Sequence, residues 1–311
     1  MAVTRCWKLA IVALAVYWPT LFIFAHIPMP AIVRTAGISP KALHALAYLI
    51  LAFLLWFFSN PQRRTGAIVA LAVYWPTLFV LAHIPIPEKV QDAGVSDKAL
   101  HFLAYMTLVF LFWIVLNPER KVCWRRATVW WVLLTVVVYG IIDELLQSYV
   151  GRSCEAMDFV SDLAGALTSC IILTYLTFWP AAVVIVAVII FGLTNIARQE
   201  LAEVVPLTNA MFHLFSYAVF TLIWVHYTVS PQVRRSDTFR ISKLEPKWLI
   251  TTLTPPIALL VVTKGYSLAV GREFPIYDVI LSLAGIVGAA AIWTAVLMRQ
   301  SANQGPPGPD D

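Results

Sequence analysis

Continuous apolar runs separated by short polar segments dominate the chain. A membrane-spanning helix needs about 20 mainly apolar residues. A membrane β-barrel would require alternating apolar and polar positions, whereas these runs are uninterrupted. The pattern therefore predicts an all-α polytopic membrane helix bundle with about ten transmembrane helices. The predicted spans are 9–27, 42–58, 66–84, 99–116, 127–145, 157–179, 181–196, 210–228, 248–266 and 276–298.

Composition and charge agree with a bilayer as the main partner of this chain. Hydrophobic residues make up 60% of the sequence and charged residues 13%, whereas soluble domains carry about 25% charged residues. The net charge of +5 does not require a nucleic acid, because the basic residues mark one side of the predicted helices. That side has 14 Lys and Arg residues and the opposite side has 8. The positive-inside rule then predicts that both termini are cytoplasmic.

An internal duplication organises the first third of the chain. Residues 11–61 align without a gap to residues 68–118, and 34 of the 51 aligned positions are identical. Such identity at a fixed offset indicates a tandem copy of a helix–loop–helix unit. Two added helices preserve the inside and outside assignment of all the helices that follow.

A weaker similarity continues further along the chain. The segment that begins at Asn209 resembles the one at Asp97, and the segment at Gly271 resembles the one at Gly151. Repeated units of four helices are expected to share one orientation in the membrane. The predicted divisions are an extra half-unit of two helices at 9–61, an intact four-helix unit at 68–178, a diverged four-helix unit at 181–298 and a disordered tail at 300–311.

Three polar clusters stand out in the intact unit, each at a helix end that faces the same side of the membrane. His101 and Tyr105 are four residues apart and share a helix face, as do Glu144 and Gln147. Charged groups at membrane depth usually face the bundle interior in pairs. We therefore expect these clusters to form one extracytoplasmic site. Its candidate ligand-binding residues are Lys98, His101, Tyr105, Glu144, Gln147, Arg152, Asp158 and Asp162.

The order of these clusters resembles the VanZ-like family of bacterial membrane proteins. The motifs are D-K-x-x-H-F-x-x-Y, then D-E-x-x-Q, then G-R followed by two aspartates four residues apart. The resemblance covers residues 68–178 and, in its first half, 11–61. It implies a protein of the bacterial plasma membrane with about four helices per unit, associated with low-level resistance to the glycopeptide teicoplanin. The motif positions match at all the candidate residues except Asp162, where the family usually has Asn.

Several functions stay open for such a site. We expect a binding or protective envelope protein whose ligand is a glycopeptide or a lipid-linked envelope precursor, with Lys98 and Arg152 contacting an anionic group. The alternative is a membrane-embedded hydrolase or transferase that acts on a lipid-linked phosphate, with His101 as general base. The chain lacks a G-x-S-x-G elbow, a P-loop and an H-E-x-x-H motif, which weighs against an enzyme.

Two further interpretations concern the same polar residues. Carboxylate ligands with one imidazole suit Mg, Mn or Zn, and the sequence offers His101, Glu144, Asp158 and Asp162 for such a site. The residues also suit a buried ion-pair lock between helices. We expect no cofactor from the sequence.

Overall fold

The structure is a computed structural model that describes residues 63–83, 96–117, 120–147, 155–196, 206–235 and 246–302. The described part of the chain is all-helical, with eight helices and no strand. The predicted spans 9–27 and 42–58, and with them the half-unit 9–61, lie outside the described residues. The helices are α1 (Arg63–His83), α2 (Asp97–Leu116), α3 (Ala127–Gln147), α4 (Ala156–Tyr175), α5 (Phe178–Asn195), α6 (Pro206–Arg235), α7 (Pro246–Ala269) and α8 (Ile276–Ala302).

Six of these helices are long and apolar enough to cross a membrane, which indicates a multi-pass membrane protein. They are α2, α3, α4, α5, residues Asn209–Thr228 of α6 and residues Ile276–Val296 of α8. The last helix, α8, continues through Ala302, the third residue of the tail predicted at 300–311. The rest of that tail lies outside the described residues.

The boundary between α4 and α5 differs from the predicted one. The apolar runs 157–179 and 181–196 place the break at Pro180, but α4 ends at Tyr175 and α5 begins at Phe178. Pro180 thus lies in the first turn of α5, where a helix needs no backbone donor and tolerates proline. The chain turns instead at Leu176, whose backbone N–H still donates to Ile172 O at 2.9 Å.

The chain forms two compact units, residues 1–209 and 210–311. In unit 1, α2 is the central helix, and α1, α3, α4 and α5 all pack against it. Its closest neighbour is α4, because Gly165 has no side chain at the crossing. A Cβ atom at Gly165 would collide with the backbone carbonyl oxygen of Phe102. Small residues commonly bring membrane helices into such close contact.

The outer faces of unit 1 are apolar. Trp131 on α3 is 65% exposed and Ile171 on α4 is 52% exposed, and further large apolar residues follow both helices. Such extended apolar surfaces are unusual on a soluble monomer. They suit contact with lipid.

One end of unit 1 is tied by hydrogen bonds to the link between α2 and α3. Trp113 Nε1 donates to Arg120 O at 2.7 Å, and Trp124 Nε1 donates to Thr174 Oγ1 at 3.0 Å. The backbone N–H of Val122 donates to Leu173 O at 2.9 Å. The link is therefore held by the C-terminal turns of both α2 and α4. We call this end the tied end.

Unit 2 contains α6 from Ala210 onward, α7 and α8. A Cβ atom at Gly285 on α8 would collide with the backbone carbonyl oxygen of Leu214 on α6, so these helices also touch through their backbones. α7 and α8 are joined by a turn in which Gly271 has φ 72°. Glycine adopts this left-handed conformation without a steric penalty.

Candidate functional site

The end of unit 1 opposite the tied end collects polar residues from three helices. The N-terminal turns of α2 and α4 and the C-terminal turn of α3 meet there. Ser96 caps α2, since its side-chain oxygen accepts a hydrogen bond from the backbone N–H of Ala99 at 3.3 Å. Capping fixes the start of α2. His101 is then placed one turn inside the bundle.

His101 is the centre of this cluster. Its Nδ1 lies 2.9 Å from Asp162 Oδ1 on α4, at hydrogen-bond distance. The same nitrogen lies 4.0 Å from Glu144 Oε1 on α3. All three side chains are buried, with 7%, 2% and 4% of the residue surface exposed for His101, Asp162 and Glu144. We call these three residues the central triad.

Several buried oxygens of the cluster have no hydrogen-bond partner among the described residues. They include Glu144 Oε1, Asp162 Oδ2 and the Tyr105 hydroxyl. Glu144 Oε2, by contrast, accepts from the backbone N–H of Glu155 at 3.3 Å. Burying a polar group without a partner is costly. One carboxylate oxygen of Glu144 and one of Asp162 are thus available to contact a ligand.

Gly140 makes room for this arrangement on α3. A Cβ atom there would lie 3.4 Å from Asp162 Oδ2, 3.4 Å from Tyr105 Cε1 and 3.5 Å from the Tyr105 hydroxyl. The tyrosine hydroxyl and the Asp162 carboxylate therefore both border the glycine. A larger residue would occupy this space.

Lys98 and Asp158 form an outer layer above the triad. Lys98 Nζ lies 2.8 Å from Glu155 Oε2 and 3.5 Å from Asp158 Oδ1. The Lys98 side chain is 45% exposed, whereas that of Asp158 is 4% exposed. The charge of Lys98 already faces two carboxylates of the protein. Its predicted contact with an anionic ligand stays a prediction.

A second buried group lies beside the triad on α3. Gln147 Nε2 donates to Asp143 Oδ2 at 3.2 Å, and the Tyr139 hydroxyl donates to Asp143 Oδ1 at 3.4 Å. His83 Nδ1 on α1 lies 3.8 Å from the same Asp143 oxygen. Because His83 Nδ1 also donates to Phe79 O at 2.7 Å, its ring is held in place.

Seven of the eight predicted site residues lie at this end of unit 1, and Arg152 lies outside the described residues. The predicted set of ligand-binding residues leaves out Tyr139 and His83, and Asp143 enters the prediction only as part of a motif. Asp143 was visible as the neighbour of Glu144 in the D-E-x-x-Q motif. His83 was visible in the repeated A-H-I-P segment.

The geometry suits a cation better than an anion. One ligand atom each from His101, Glu144 and Asp162 lie within 4.8 Å of one another, and the same holds for Asp97, His101 and Asp158. Four buried carboxylic residues gather here: Asp143, Glu144, Asp158 and Asp162. Like charges at such distances repel in a medium of low dielectric constant. A bound positive charge would relieve that repulsion.

Unit 2 has a related but different cluster. Lys264 Nζ lies 2.9 Å from Asp278 Oδ2, and His213 Nε2 lies 3.0 Å from the same oxygen. Ser282 Oγ lies 3.4 Å from His213 Nδ1. All four residues are buried. One carboxylate therefore faces a lysine and a histidine.

Comparison with known proteins adds no relative. No family model matches the chain, and no curated protein or solved structure matches it.

Proposed function

We propose that this chain is a VanZ-like integral membrane protein of the bacterial plasma membrane, with about ten helices in tandem units and cytoplasmic termini. The order of the motifs in residues 68–178 supports the family. Matching contacts in the two units support the repeat. Gly165 and Gly285 each abut the backbone of the residue that follows the cluster histidine, Phe102 and Leu214.

The proposed role is to bind an envelope ligand at the extracytoplasmic end of unit 1 and so to protect against glycopeptides. The convergence of buried His101, Glu144 and Asp162 from three helices carries this proposal. A lock between helices would be expected to balance its charges, whereas this cluster has an excess of carboxylates. The ligand is a glycopeptide or a lipid-linked envelope precursor.

Drug susceptibility tests the role. Glu144→Gln and Arg152→Ala should each lower the minimum inhibitory concentration of teicoplanin to that of a host without the protein, while membrane abundance stays normal. Glu144→Gln removes a charge with little change of shape, and its Oε1 accepts no hydrogen bond from the described residues. Glu155→Gln is the matched control and should protect like the wild type, because its side chain faces Lys98 outside the triad.

Unchanged susceptibility of Glu144→Gln, in a host that the wild type protects, would contradict a binding role for the cluster. A wild type without any protection would contradict the glycopeptide part of the proposal. Direct binding of lipid-linked precursors to the purified protein then measures the remaining part.

A second candidate is a membrane-embedded hydrolase or transferase that acts on a lipid-linked phosphate. The His101–Asp162 pair at 2.9 Å favours it, because a carboxylate that orients an imidazole is the usual arrangement of a general base. Release of inorganic phosphate from a lipid-linked diphosphate by the purified protein would favour this candidate over pure binding.

A further inference from the structure

The geometry points to a divalent transition-metal site formed by His101 Nδ1, Glu144 Oε1 and Asp162. This inference rests on the proposed function, since both place the ligand in the same cluster. The three candidate ligand atoms lie within 4.8 Å of one another and come from three different helices.

The distances around His101 Nδ1 fit a common metal ion. Zn²⁺ binds imidazole nitrogen and carboxylate oxygen at about 2.0–2.2 Å, so two of its ligands lie about 3.4 Å apart in tetrahedral geometry. The observed separations from Nδ1 are 2.9 Å to Asp162 Oδ1 and 4.0 Å to Glu144 Oε1. They bracket that value, and adjustments of less than 1 Å would complete the site.

The unused oxygens give an independent reason to place an ion here. Glu144 is 4% exposed and Asp162 is 2% exposed, and Glu144 Oε1 and Asp162 Oδ2 have no hydrogen-bond partner within the described ranges. An ion pair between His101 and Asp162 alone would use one oxygen of Asp162 and would leave Glu144 Oε1 without a hydrogen-bond partner in this part of the chain. A metal ion would use Glu144 Oε1 and leave both carboxylates compensated.

The alternative set of Asp97, His101 and Asp158 fits less well. Asp97 is only partly buried, and Asp158 already lies 3.5 Å from the Lys98 ammonium. A cation there would be repelled by Lys98. The central triad has no lysine or arginine within 4 Å among the described residues.

The ligand set indicates Mn²⁺ or Zn²⁺ rather than Ca²⁺. One imidazole with two carboxylates suits these ions, whereas Ca²⁺ takes six to eight oxygen ligands. A divalent ion held by three protein ligands would also keep an open coordination position, which an oxygen of an anionic group of an envelope precursor could occupy. An anionic ligand is then compatible with a site that is lined by carboxylates.

Metal binding to the full-length protein in detergent tests the site. We expect the wild type to bind Mn²⁺, followed by electron paramagnetic resonance, and Zn²⁺ to displace it. Glu144→Gln and Asp162→Asn should each weaken Mn²⁺ binding at least about tenfold, since loss of even an outer-shell partner weakens metal sites about 10- to 100-fold. Glu155→Gln should bind like the wild type.

Wild-type protein that binds neither ion, or variants that bind as tightly as the wild type, would overturn the inference. The two substitutions lie on different helices, and size-exclusion profiles show whether each variant is folded. If neither variant folds, the wild-type titration decides alone. Metal binding without drug protection would refute only the proposed function, and protection without metal binding would refute only the metal site.

Discussion

The two units each have a histidine at matching positions of the alignment, but the groups around the two histidines differ. In unit 1, His101 Nδ1 lies 2.9 Å from Asp162, and in unit 2, His213 Nδ1 lies 3.4 Å from Ser282. Asp162 and Ser282 also match in the alignment of the two units. In each unit a glycine, Gly165 or Gly285, abuts the backbone carbonyl of the residue that follows this histidine, and the side chains around the ring differ.

The largest difference lies on the next helix, where unit 1 has Glu144 and unit 2 has Lys264. Lys264 Nζ lies 2.9 Å from Asp278, so these two opposite charges of the unit 2 cluster balance each other. Glu144 instead adds a carboxylate beside His101. Together with the exchanges of Asp162 for Ser282 and of Asp143 for Thr263, this exchange separates an ion pair of opposite charges from a cluster with an excess of carboxylates.

The tyrosines repeat this contrast. The Tyr217 hydroxyl in unit 2 lies 2.7 Å from Thr263 Oγ1, while the Tyr105 hydroxyl in unit 1 has no hydrogen-bond partner in the part of the chain that the structure describes. Thr263 matches Asp143 in the alignment. The tyrosine hydroxyl beside the histidine is thus satisfied within unit 2 and is left without a partner among the described residues in unit 1.

The largest expected effect comes from neutralising one charged side chain in each unit, Lys264 in unit 2 and Glu144 in unit 1. Lys264→Gln should lower the free energy of unfolding by up to about 3–5 kcal/mol, because breaking the buried pair leaves the Asp278 carboxylate with the His213 ring in place of a lysine charge. Glu144→Gln should change it far less, since it removes one of several crowded carboxylates. Denaturation of the purified variants in detergent measures both. Equal destabilisation would show that Glu144 is also part of a structural lock.

A second test concerns the close contact between a glycine and a helix backbone that occurs in each unit. Gly165→Ala and Gly285→Ala should each lower the free energy of unfolding by about 3 kcal/mol, because the new methyl group meets a backbone carbonyl that cannot turn away. Gly265 and Gly288 are matched controls, since a Cβ atom at either has no atom within 4 Å. Alanine there should be neutral or stabilise the helix by up to about 1 kcal/mol. If all four variants melt alike, the backbone contacts do not hold the helices together.

The smallest expected effect on stability is that of Gly140→Ala. The added methyl group would lie 3.4 Å from Asp162 Oδ2, an ordinary van der Waals contact. We expect a change in unfolding free energy below about 1 kcal/mol, together with weaker Mn²⁺ binding because the carboxylate loses room to move. Unit 2 has Leu260 at the matching position, and its described residues include no such acidic cluster. An unchanged Mn²⁺ affinity would mean that Gly140 does not shape the site.

Helix ends were the part of the site that the sequence could predict. Successive helices of a bundle run in opposite directions, so the start of α2, the end of α3 and the start of α4 lie at the same end. His101, Glu144 and Asp162 were therefore expected near one another. Spacing of four residues also placed Tyr105 below His101. The exchange of Glu144 for Lys264 was visible in the alignment of the two units.

The arrangement of the helices that pack around α2 could not be predicted from the sequence. α2 is apolar and buried on nearly every side, so its pattern does not show which face meets α3 and which meets α4. The contact of His83 with Asp143 depends on that choice. The position of Pro180 within α5 also escaped prediction, because a proline marks either a break or a first helical turn.

The hydrogen bonds at the tied end have a mechanical consequence. Trp113, Trp124 and Val122 join the α2–α3 link to α2 and α4 at the end away from the central triad. Helices held at one end spread by pivoting about that end, as the arms of tweezers do. A tilt of a few degrees would then barely move the indoles but would carry the carboxylates of Glu144 and Asp162 apart. Entry of the proposed ligand at the cluster would therefore leave the tied end in place, and the hydrogen bonds of its two tryptophans would mark the pivot of the motion.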